Sequence, residues 1–291
     1  MSQKQKVLFI VNPISGGKKP LNINALVDQH LNKEKFEYDI YHTQKRGDAT
    51  DRSKKAVADG VDIVVAVGGD GTINEVAQGL IGTNVALGII PRGSGNGFAN
   101  YFGIPHNPAK ALATLNSGQP RSIDTGTLNG KLFLNVAGVG FDAHIVAVFD
   151  VFGKRGLLSY IYLSIKEYFQ YKAKTYTLTI GDKVHETEAF LITAANSSQF
   201  GNNAFIAPNA KIDDGLLDIV VLQPANIIGI ITISLRMFLG TLDKSNYCQT
   251  YRTSRLTITN SDQVAQVDGE PIEATKELDI VLHPKSLNVI A

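Results

Sequence analysis

The sequence is poor in cysteine, in net charge and in long apolar runs. Cys248 is the only cysteine among 291 residues, which excludes an intramolecular disulfide and a cysteine-rich zinc site. Lys and Arg total 28 against 27 Asp and Glu, and a net charge of +1 gives no electrostatic footprint for bulk nucleic-acid binding. The low cysteine content also fits a reducing compartment. We therefore expect a cytoplasmic protein that binds no nucleic acid.

Targeting and membrane-spanning segments are not indicated either. The apolar run 7–11 is too short for a signal-peptide core, and 227–235 falls well short of the ~20 residues of a membrane span. We expect no transmembrane segment, and a protein that is soluble or peripheral at the inner face of a membrane. The composition, with 44% hydrophobic and 19% charged residues, excludes wholesale disorder.

The first 120 residues alternate apolar runs with segments of helical periodicity. Strand-like segments cover 7–12, 36–40, 61–67 and 85–90, and helix-like segments cover 21–31, 49–60 and 72–80. Apolar strands that alternate with helices predict a parallel sheet covered on both faces. Residues 1–120 are therefore predicted to form an α/β domain.

Short alternating segments replace this pattern after residue 120. They cover 123–128, 132–136, 176–180, 190–194, 217–222, 256–259 and 278–282. Asn129-Gly130 lies between two of them and is a hairpin signal. Residues 121–291 are therefore predicted to form a mostly antiparallel β domain, interrupted by two helices and with its extreme C-terminus free to return to the first domain.

Three glycine-rich loops, residues 12–17, 68–72 and 93–97, follow three of the predicted parallel strands. The carboxyl ends of parallel strands line one crevice, so these loops are expected to converge there. Glycine lets backbone amides approach an anion and permits positive φ, and each loop opens onto a predicted helix N-terminus. One such loop alone would be an ordinary turn, but the three together predict a polyphosphate site.

Asp70 is an unexpected acid within such a loop. It either caps the next helix, bridges Mg²⁺ to phosphates or serves in acid–base chemistry. The sequence has no Gly-x-x-x-x-Gly-Lys-Ser/Thr, and no Gly-x-Gly-x-x-Gly follows the first strand. These two absences disfavour a P-loop NTPase and a dehydrogenase.

The second loop and its continuation, residues 68–76 (GGDGTINEV), resemble the signature of the diacylglycerol kinase catalytic family. This family includes bacterial lipid kinases, sphingosine kinases and ceramide kinases. The resemblance covers nearly the whole chain, with further matching blocks at 12–17, 91–96, 213–218 and 267–271. It implies an N-terminal α/β domain like that of NAD kinase and phosphofructokinase, which binds the nucleotide. It also implies a C-terminal β-sandwich for the lipid acceptor and Mg²⁺.

The resemblance also implies which residues hold ATP and Mg²⁺. Nucleotide contacts are expected from Asn12, Pro13, Ile14, Ser15, Gly16, Thr43, Gly68, Gly69, Asp70, Gly71, Thr72, Ile73, Asn74 and Ser94. Mg²⁺ is expected at the Asp214 side chain and the carbonyl groups of Lys211 and Leu216, a donor set that suits a hard cation. Taken alone, Thr43 is typical of a strand end and Asp213-Asp214-Gly215 of a turn between strands.

Glu270 is the proton acceptor that the resemblance implies, with Asp268 beside it. A lipid hydroxyl loses its proton as it takes the γ-phosphoryl group, so a carboxylate is needed within hydrogen-bond reach. Asp-Gly-Glu is also a turn signal. In sphingosine kinases the base is usually placed on the Asp of the glycine motif, which makes Asp70 the second candidate. The third loop, with Ser94, is closer to sphingosine and ceramide kinases than to bacterial diacylglycerol kinases.

The sequence therefore predicts an ATP- and Mg²⁺-dependent kinase of a lipid hydroxyl, diacylglycerol-like or sphingoid-like, that acts at a membrane surface. The alternatives are a kinase of a soluble acceptor such as NAD, and a non-catalytic nucleotide or lipid sensor. The predicted helix 157–171 is either a membrane-interface helix with basic flanks or an ordinary core helix, whereas 227–239 is predicted as core. Homodimer formation is left open.

Overall fold

The computed structural model describes residues 4–17, 21–152, 157–259 and 262–291. The chain separates into two compact units. The first consists of Met1–Ile123 and Lys285–Ala291, and the second of Asp124–Pro284. The basic residues Lys154 and Arg155, which flank the predicted helix 157–171, lie outside the described residues.

The first unit alternates strands and helices along the chain. Its elements are β1 (Gln5–Val11), α1 (Ile23–His30), β2 (Phe36–His42), α2 (Asp48–Ala58), β3 (Ile63–Gly68), α3 (Asp70–Leu80), β4 (Ala86–Pro91), α4 (Gly97–Tyr101) and α5 (Pro108–Ser117). The strands form a parallel sheet in the order β2-β1-β3-β4. The end of the chain's last strand, β16 (Glu277–Ile290), extends this sheet in parallel beside β4.

Burial explains why this sheet forms. Every residue of β3 and β4 is buried, as is the apolar part of β1, which is expected where helices cover both faces of a parallel sheet. Helix α1 packs with α5 and α2 packs with α3. Asparagine side chains cap two of these helices: Asn22 accepts from the Ala25 amide, and Asn107 accepts from the Ala109 amide. The predicted α/β fold of the N-terminal part is confirmed.

From β5 onward the chain is mostly antiparallel strands. The elements are β5 (Pro120–Leu128), β6 (Lys131–Phe133), β7 (Val136–Gly140), α6 (Phe141–Phe152), α7 (Leu157–Tyr168), β8 (Lys174–Ile180), β9 (Lys183–Ala189), β10 (Leu191–Ala195), β11 (Leu217–Leu222), α8 (Ile227–Phe238), β12 (Cys248–Thr253), β13 (Arg255–Thr259), β14 (Val264–Val267) and β15 (Glu270–Glu273). One sheet has the strand order β12-β11-β10-β7-β14-β15. In the other, β13 lies between β8 and the first half of β16, β9 pairs with β8, and β5 pairs with β16 and β6.

A single apolar cluster joins these two sheets. Val139 and Ile192 contribute from one sheet, and Leu178 and Ile258 contribute from the other, all four without measurable exposure. Two antiparallel sheets packed face to face over a shared core form a β-sandwich. The predicted β-sandwich is therefore confirmed.

Helix α8 corrects the expectation that 227–239 is plain core. Its inward face includes Gly229 and Ile233, whereas a continuous stripe of large apolar side chains is exposed to solvent. This stripe consists of Ile227, Ile228, Ile231, Leu235 and Phe238, and Leu239 follows it. The prediction failed because the helix is apolar on both faces, so that its pattern did not reveal which face was covered. None of the helices in the described part of the chain has the length and apolar character needed to cross a membrane.

Candidate active site

Asn12 organises the first glycine loop, directly after β1. Its backbone N–H donates to the Val67 carbonyl (3.0 Å), which continues the sheet by one residue. Its side-chain Oδ1 accepts from the Ile14 amide (3.1 Å), and its Nδ2 donates to Thr72 Oγ1 (3.1 Å). The Ser15 hydroxyl donates back to the Asn12 carbonyl (2.7 Å). These bonds fix the first loop against the second.

The second loop passes so close to the third that side chains are excluded. A Cβ on Gly69 would lie 3.1 Å from Gly93 Cα, and one on Gly93 would lie 2.8 Å from Gly69 Cα. Gly69 has φ −90° and ψ −173°, an extended conformation that any residue adopts. Close approach of two backbones therefore requires glycine here, and the positive φ that the sequence suggested is not used. A Cβ on Gly68 would likewise lie 2.4 Å from Thr72 Oγ1.

Asn96 organises the third loop and was not among the predicted site residues. It is 2% exposed and left-handed, with φ 47°. Its Oδ1 accepts from the Gly93 amide (2.6 Å), and its Nδ2 donates to the Gly93 carbonyl (2.8 Å). The sequence signal was available, because asparagine between glycines is the residue that best tolerates a left-handed backbone.

Asp70 caps a helix, but a different one from the helix that follows it. The N-cap of α3 is Gly69, and no side chain caps that helix. The Asp70 carboxylate instead accepts from the Phe98 amide (3.3 Å) in the first turn of α4. Burial raises the pKa of Asp70, and the backbone amides of residues 96–98 oppose that rise. Asp70 thus ties the second loop to the third.

Three further contacts complete the cluster of loops. Thr43 follows β2, and its amide donates to the Val11 carbonyl (2.9 Å), which places it beside the start of the first loop. Glu75 on α3 accepts from the Gly47 amide (3.1 Å) and so ties down the loop after Thr43. Arg92 donates to the Ser15 carbonyl (3.4 Å). Sequence reasoning did not single out Arg92, although it directly precedes the third loop.

The remaining predicted nucleotide residues differ in what they present. Pro13, Ile14, Gly16 and Ser94 are exposed on the loops. Ile73 is fully buried, and its amide donates to the Gly69 carbonyl (3.0 Å), so its side chain belongs to the core of the first unit. Gly71 and Asn74 lie in the first two turns of α3, where Asn74 accepts from the Gln78 side chain.

In the second unit, Glu270 begins β15 directly after a tight turn. Asp268 and Gly269 have φ 49° and 78°, and the flanking residues Val267 and Glu270 pair with each other. Positive φ at both central residues makes this a type I′ hairpin turn, for which Asp-Gly is a preferred sequence. Glu270 is exposed at the end of this turn.

Asp268 is occupied by backbone amides. Its Oδ2 accepts from the Leu134 amide (2.8 Å), and its Oδ1 accepts from the amides of Asn135 (2.8 Å) and Val136 (3.0 Å). A carboxylate that receives several amide hydrogen bonds is stabilised as the anion and fixes the backbone around it. The geometry favours a structural part for Asp268, which holds the turn on which Glu270 stands.

The predicted metal loop contains a pairing that sequence analysis did not anticipate. Asp214 forms an ion pair with Arg252, and its Oδ1 accepts from the Leu216 amide (3.2 Å). Asp124, which is 1% exposed, accepts from the Gly215 amide (2.7 Å) and so holds the same loop against β5. Polar residues are common in β5, which reads PRSIDTGTL, so the sequence carried no signal that distinguished Asp124.

Metal binding at this loop would depend on Asp214 and on backbone oxygens. No cluster of three or more His, Cys, Asp or Glu side chains occurs within residues 4–17, 21–152, 157–259 and 262–291. One carboxylate with the carbonyls of Lys211 and Leu216 is chemically suited to a hard cation. Arg252 competes with a cation for the Asp214 carboxylate. The donor set would therefore fit Mg²⁺ only when Arg252 does not pair with Asp214.

Family comparison accounts for both units. Residues 6–128 match the diacylglycerol kinase catalytic domain, and residues 135–291 match the YegS C-terminal NAD kinase beta sandwich-like domain. The chain belongs to the family of diacylglycerol and YegS-like lipid kinases. It is thus a kinase, and its membership of this family implies that it uses ATP.

Individual relatives of this lipid kinase agree over nearly their full lengths. A protein of Pseudomonas aeruginosa strain UCBPP-PA14 named "Probable lipid kinase YegS-like" is 31% identical and covers 98% of this chain and 94% of its own. The diacylglycerol kinase of Bacillus subtilis strain 168 is 29% identical, with 91% and 90% covered. The crystal structure of a diacylglycerol kinase from Bacillus anthracis strain Sterne is 25% identical, with a TM-score of 0.77 and coverage of 100% and 98%.

Proposed function

We propose that this lipid kinase transfers the γ-phosphoryl group of ATP to the hydroxyl of a lipid, with diacylglycerol as the first candidate acceptor. The observation that carries the proposal is the contact between three glycine loops in a member of the lipid kinase family. Asn12 joins the first loop to the second, and Asp70 joins the second to the third. Backbone amides that converge on one edge of a parallel sheet suit a polyphosphate.

In this proposal the residues divide the chemistry between them. The loops hold the phosphates, and Glu270 takes the proton of the acceptor hydroxyl as the new bond to phosphorus forms. We assign the base to Glu270 because it is exposed, and we assign Asp268 a structural part because it accepts from backbone amides. Asp214, with the carbonyls of Lys211 and Leu216, would hold Mg²⁺. A divalent cation there would supply positive charge that stabilises the loop.

Exposed apolar surface supports a lipid acceptor at a membrane. Ile165 of α7 is 60% exposed and Ile228 of α8 is 71% exposed, and Tyr168 of α7 donates to the Ala225 carbonyl just before α8. The end of α7 therefore lies close to the start of α8, and both helices expose apolar side chains. Lys166 lies exposed on the same helix as Ile165, and apolar residues with basic neighbours are typical of helices that lie in a membrane interface.

A phosphorylation screen tests the acceptor. The protein is incubated with labelled ATP, Mg²⁺ and vesicles that contain diacylglycerol, monoacylglycerol, a sphingoid base, ceramide or phosphatidylglycerol, and in parallel with NAD as the soluble acceptor. We expect a labelled lipid product and no labelled NADP. Labelled NADP without any lipid product would contradict the proposal, as would a folded protein that binds ATP but labels nothing.

A further inference from the structure

Three adjacent strands of the second unit place three residues side by side beneath the start of α6. Thr193 on β10, Gly138 on β7 and Gln266 on β14 share one register position across the sheet. Asp142 lies over the central residue. A Cβ on Gly138 would lie 3.3 Å from Asp142 Oδ2 and 2.4 Å from the Ile192 carbonyl oxygen. Glycine at this position therefore leaves room for the Asp142 carboxylate.

The carboxylate begins a chain of hydrogen bonds that ends at the turn of Glu270. Asp142 Oδ2 accepts from Gln266 Nε2 (3.2 Å) and from Thr193 Oγ1 (3.3 Å). Gln266 Oε1 in turn accepts from the Gly269 amide (3.0 Å). The Gly269 amide can only donate, so it must face the oxygen of Gln266, and the nitrogen of Gln266 must then face Asp142.

Both side chains in this series of hydrogen bonds are buried, Asp142 with 6% and Gln266 with 2% of its surface exposed. Burying polar groups is costly unless each is hydrogen-bonded, and each of these has a partner. Burial raises the pKa of Asp142 to about 7, and both the carboxylate and the carboxylic acid retain an oxygen that accepts from Gln266. The chain of bonds therefore persists across neutral pH.

We propose that Gln266, aligned by Asp142, is a positioning residue that fixes the Gly269 amide and thereby the direction in which Glu270 leaves its turn. Asp268 anchors the other side of the same turn through the amides of residues 134–136. With both sides anchored, the two-residue turn has no freedom to rotate. The inference rests on the proposed function, in which Glu270 is the base.

Two single variants break the chain in different ways. Gln266→Met keeps the length of the side chain and removes both hydrogen bonds. The Ala143 amide donates to Asp142 Oδ1 (2.9 Å), so the oxygen of Asp142→Asn stays there and its N–H₂ faces Gln266. The glutamine must then reverse, and its own N–H₂ faces the Gly269 amide. The control is Gln263→Met, the same substitution at an exposed position just before β14.

The double variant Asp142→Asn with Gln266→Glu restores the chain with the donors and acceptors exchanged. The N–H₂ of residue 142 donates to one carboxylate oxygen at position 266, and the other oxygen accepts from the Gly269 amide. If Asp142→Asn lowered kcat only by disturbing the packing, a second substitution in the same buried space would not restore kcat. A loss of kcat in the single variant and its recovery in the double variant therefore indicate the exchange of hydrogen-bond donors and acceptors.

The measurements are kcat, the ATP dissociation constant and hydrogen exchange at the Gly269 amide, for folded variants. We expect both single variants to lower kcat by about tenfold to a hundredfold, the range for small misplacements of a reacting group. ATP affinity should stay unchanged. Exchange at Gly269 should be faster in Gln266→Met than in wild type or in Gln263→Met, and the double variant should recover kcat to within about threefold.

The inference would be overturned if hydrogen exchange at the Gly269 amide were as slow in Gln266→Met as in wild type. It would also be overturned if kcat stayed within about threefold of wild type in both single variants. A folded double variant without recovery of kcat would overturn it as well. Glu270→Gln separates this outcome from a failure of the proposed function. If that variant turns over normally, the assignment of the base is wrong, whereas if it is inactive while the two single variants are active, only the positioning role is wrong.

Discussion

Asp70 and Glu270 are both candidates for the general base, but their surroundings differ. Glu270 stands exposed at the end of a fixed turn, whereas Asp70 already accepts from the first turn of α4. We expect Glu270→Gln to keep ATP affinity and to lower the single-turnover rate by roughly 10²–10⁴-fold, the usual contribution of a general base. Rapid-quench kinetics with saturating ATP measures this rate.

Asp70→Asn is the matched comparison. Its amide group offers one acceptor in place of two, so the third loop should loosen and ATP affinity should fall together with the rate. The reverse pattern, with an active Glu270→Gln and an Asp70→Asn that binds ATP normally without turnover, would assign the base to Asp70. A Glu270→Gln rate within about threefold of wild type is too small a loss for a general base.

Asp142 should give the protein a pH-dependent stability. Its pKa is 3.8 in an ordinary setting and about 7 in the folded unit. Between these values the folded protein binds a proton that the unfolded chain has lost, so stability falls as pH rises from about 4 to about 7. The fall is at most roughly 4 kcal/mol. Thermal unfolding of wild type and Asp142→Asn at pH 5 and pH 8 should show the larger decrease for wild type, and equal decreases would refute the prediction.

The glycine-rich loop drew attention to Gly69 and Asp70, and the resemblance to lipid kinases implied Asn12; the structure places all three in one cluster of loops. The sequence could not reveal Gln266, whose hydrogen bonds to Asp142 and Gly269 exist only in the folded sheet. Asp214 shows the same limit, because its pairing with Arg252 joins residues 38 positions apart. The roles assigned to the site residues remain predictions.

The contact between the second and third loops makes glycine necessary at both positions. We expect Gly69→Val to push these loops apart at a cost of about 1–3 kcal/mol, the usual range for overpacking, and to weaken ATP binding by about tenfold or more. Calorimetric titration with ATP measures the loss. Gly60→Asn is the control, since Gly60 has a positive φ with open space around it. Unchanged ATP affinity in a folded Gly69→Val would remove this contact from the nucleotide site.

The loop between Lys211 and Leu216 gives a metal prediction. Asp214→Ala leaves only neutral backbone oxygens, so Mg²⁺ should no longer raise the thermal midpoint. Arg252→Met should have the opposite effect, because it removes the cation that competes for the carboxylate. The exposed ion pair itself contributes only about 0–1 kcal/mol. If Asp214→Ala keeps its thermal midpoint, activity and Mg²⁺ response, the loop is only a turn.

Most elements could be read from periodicity, because β3 and β4 are apolar throughout and α2 has a polar outer face. Helix α8 could not, since its exposed side is as apolar as its buried side. Helix α6 was missed for a related reason: its sequence is apolar with β-branched residues and resembles a strand. Periodicity predicts a face only where the two faces differ in polarity.

At the scale of the whole molecule, the second half of β16 packs residues 285–290 into the first unit, far from them in sequence. Leu287, Val289 and Ile290 are buried in the first unit, and the Gly82 amide donates to the Ser286 carbonyl (2.8 Å). Each buried aliphatic side chain contributes about 1.5–3 kcal/mol, and a domain has only about 5–15 kcal/mol of stability.

A chain that ends at residue 284 should therefore lose ATP binding, although it contains all three glycine loops. Calorimetry and thermal unfolding measure the loss, and removal of the exposed Ala291 alone is the control. Wild-type ATP affinity in the chain that ends at residue 284 would show that the first unit folds without β16.

The position of β16 also sets the order of events during synthesis. Residues 1–123 leave the ribosome before residues 285–291, and domains begin to fold as they emerge. Until residues 285–291 follow, the outer edge of β4 has no partner, and an unpaired strand edge invites wrong pairing. The sheet that carries the predicted nucleotide loops is therefore completed only when residues 285–291 have been made. We therefore expect a chain cut before residue 285 to present an incomplete sheet that proteases can attack, and not to act as a smaller kinase that lacks the second unit.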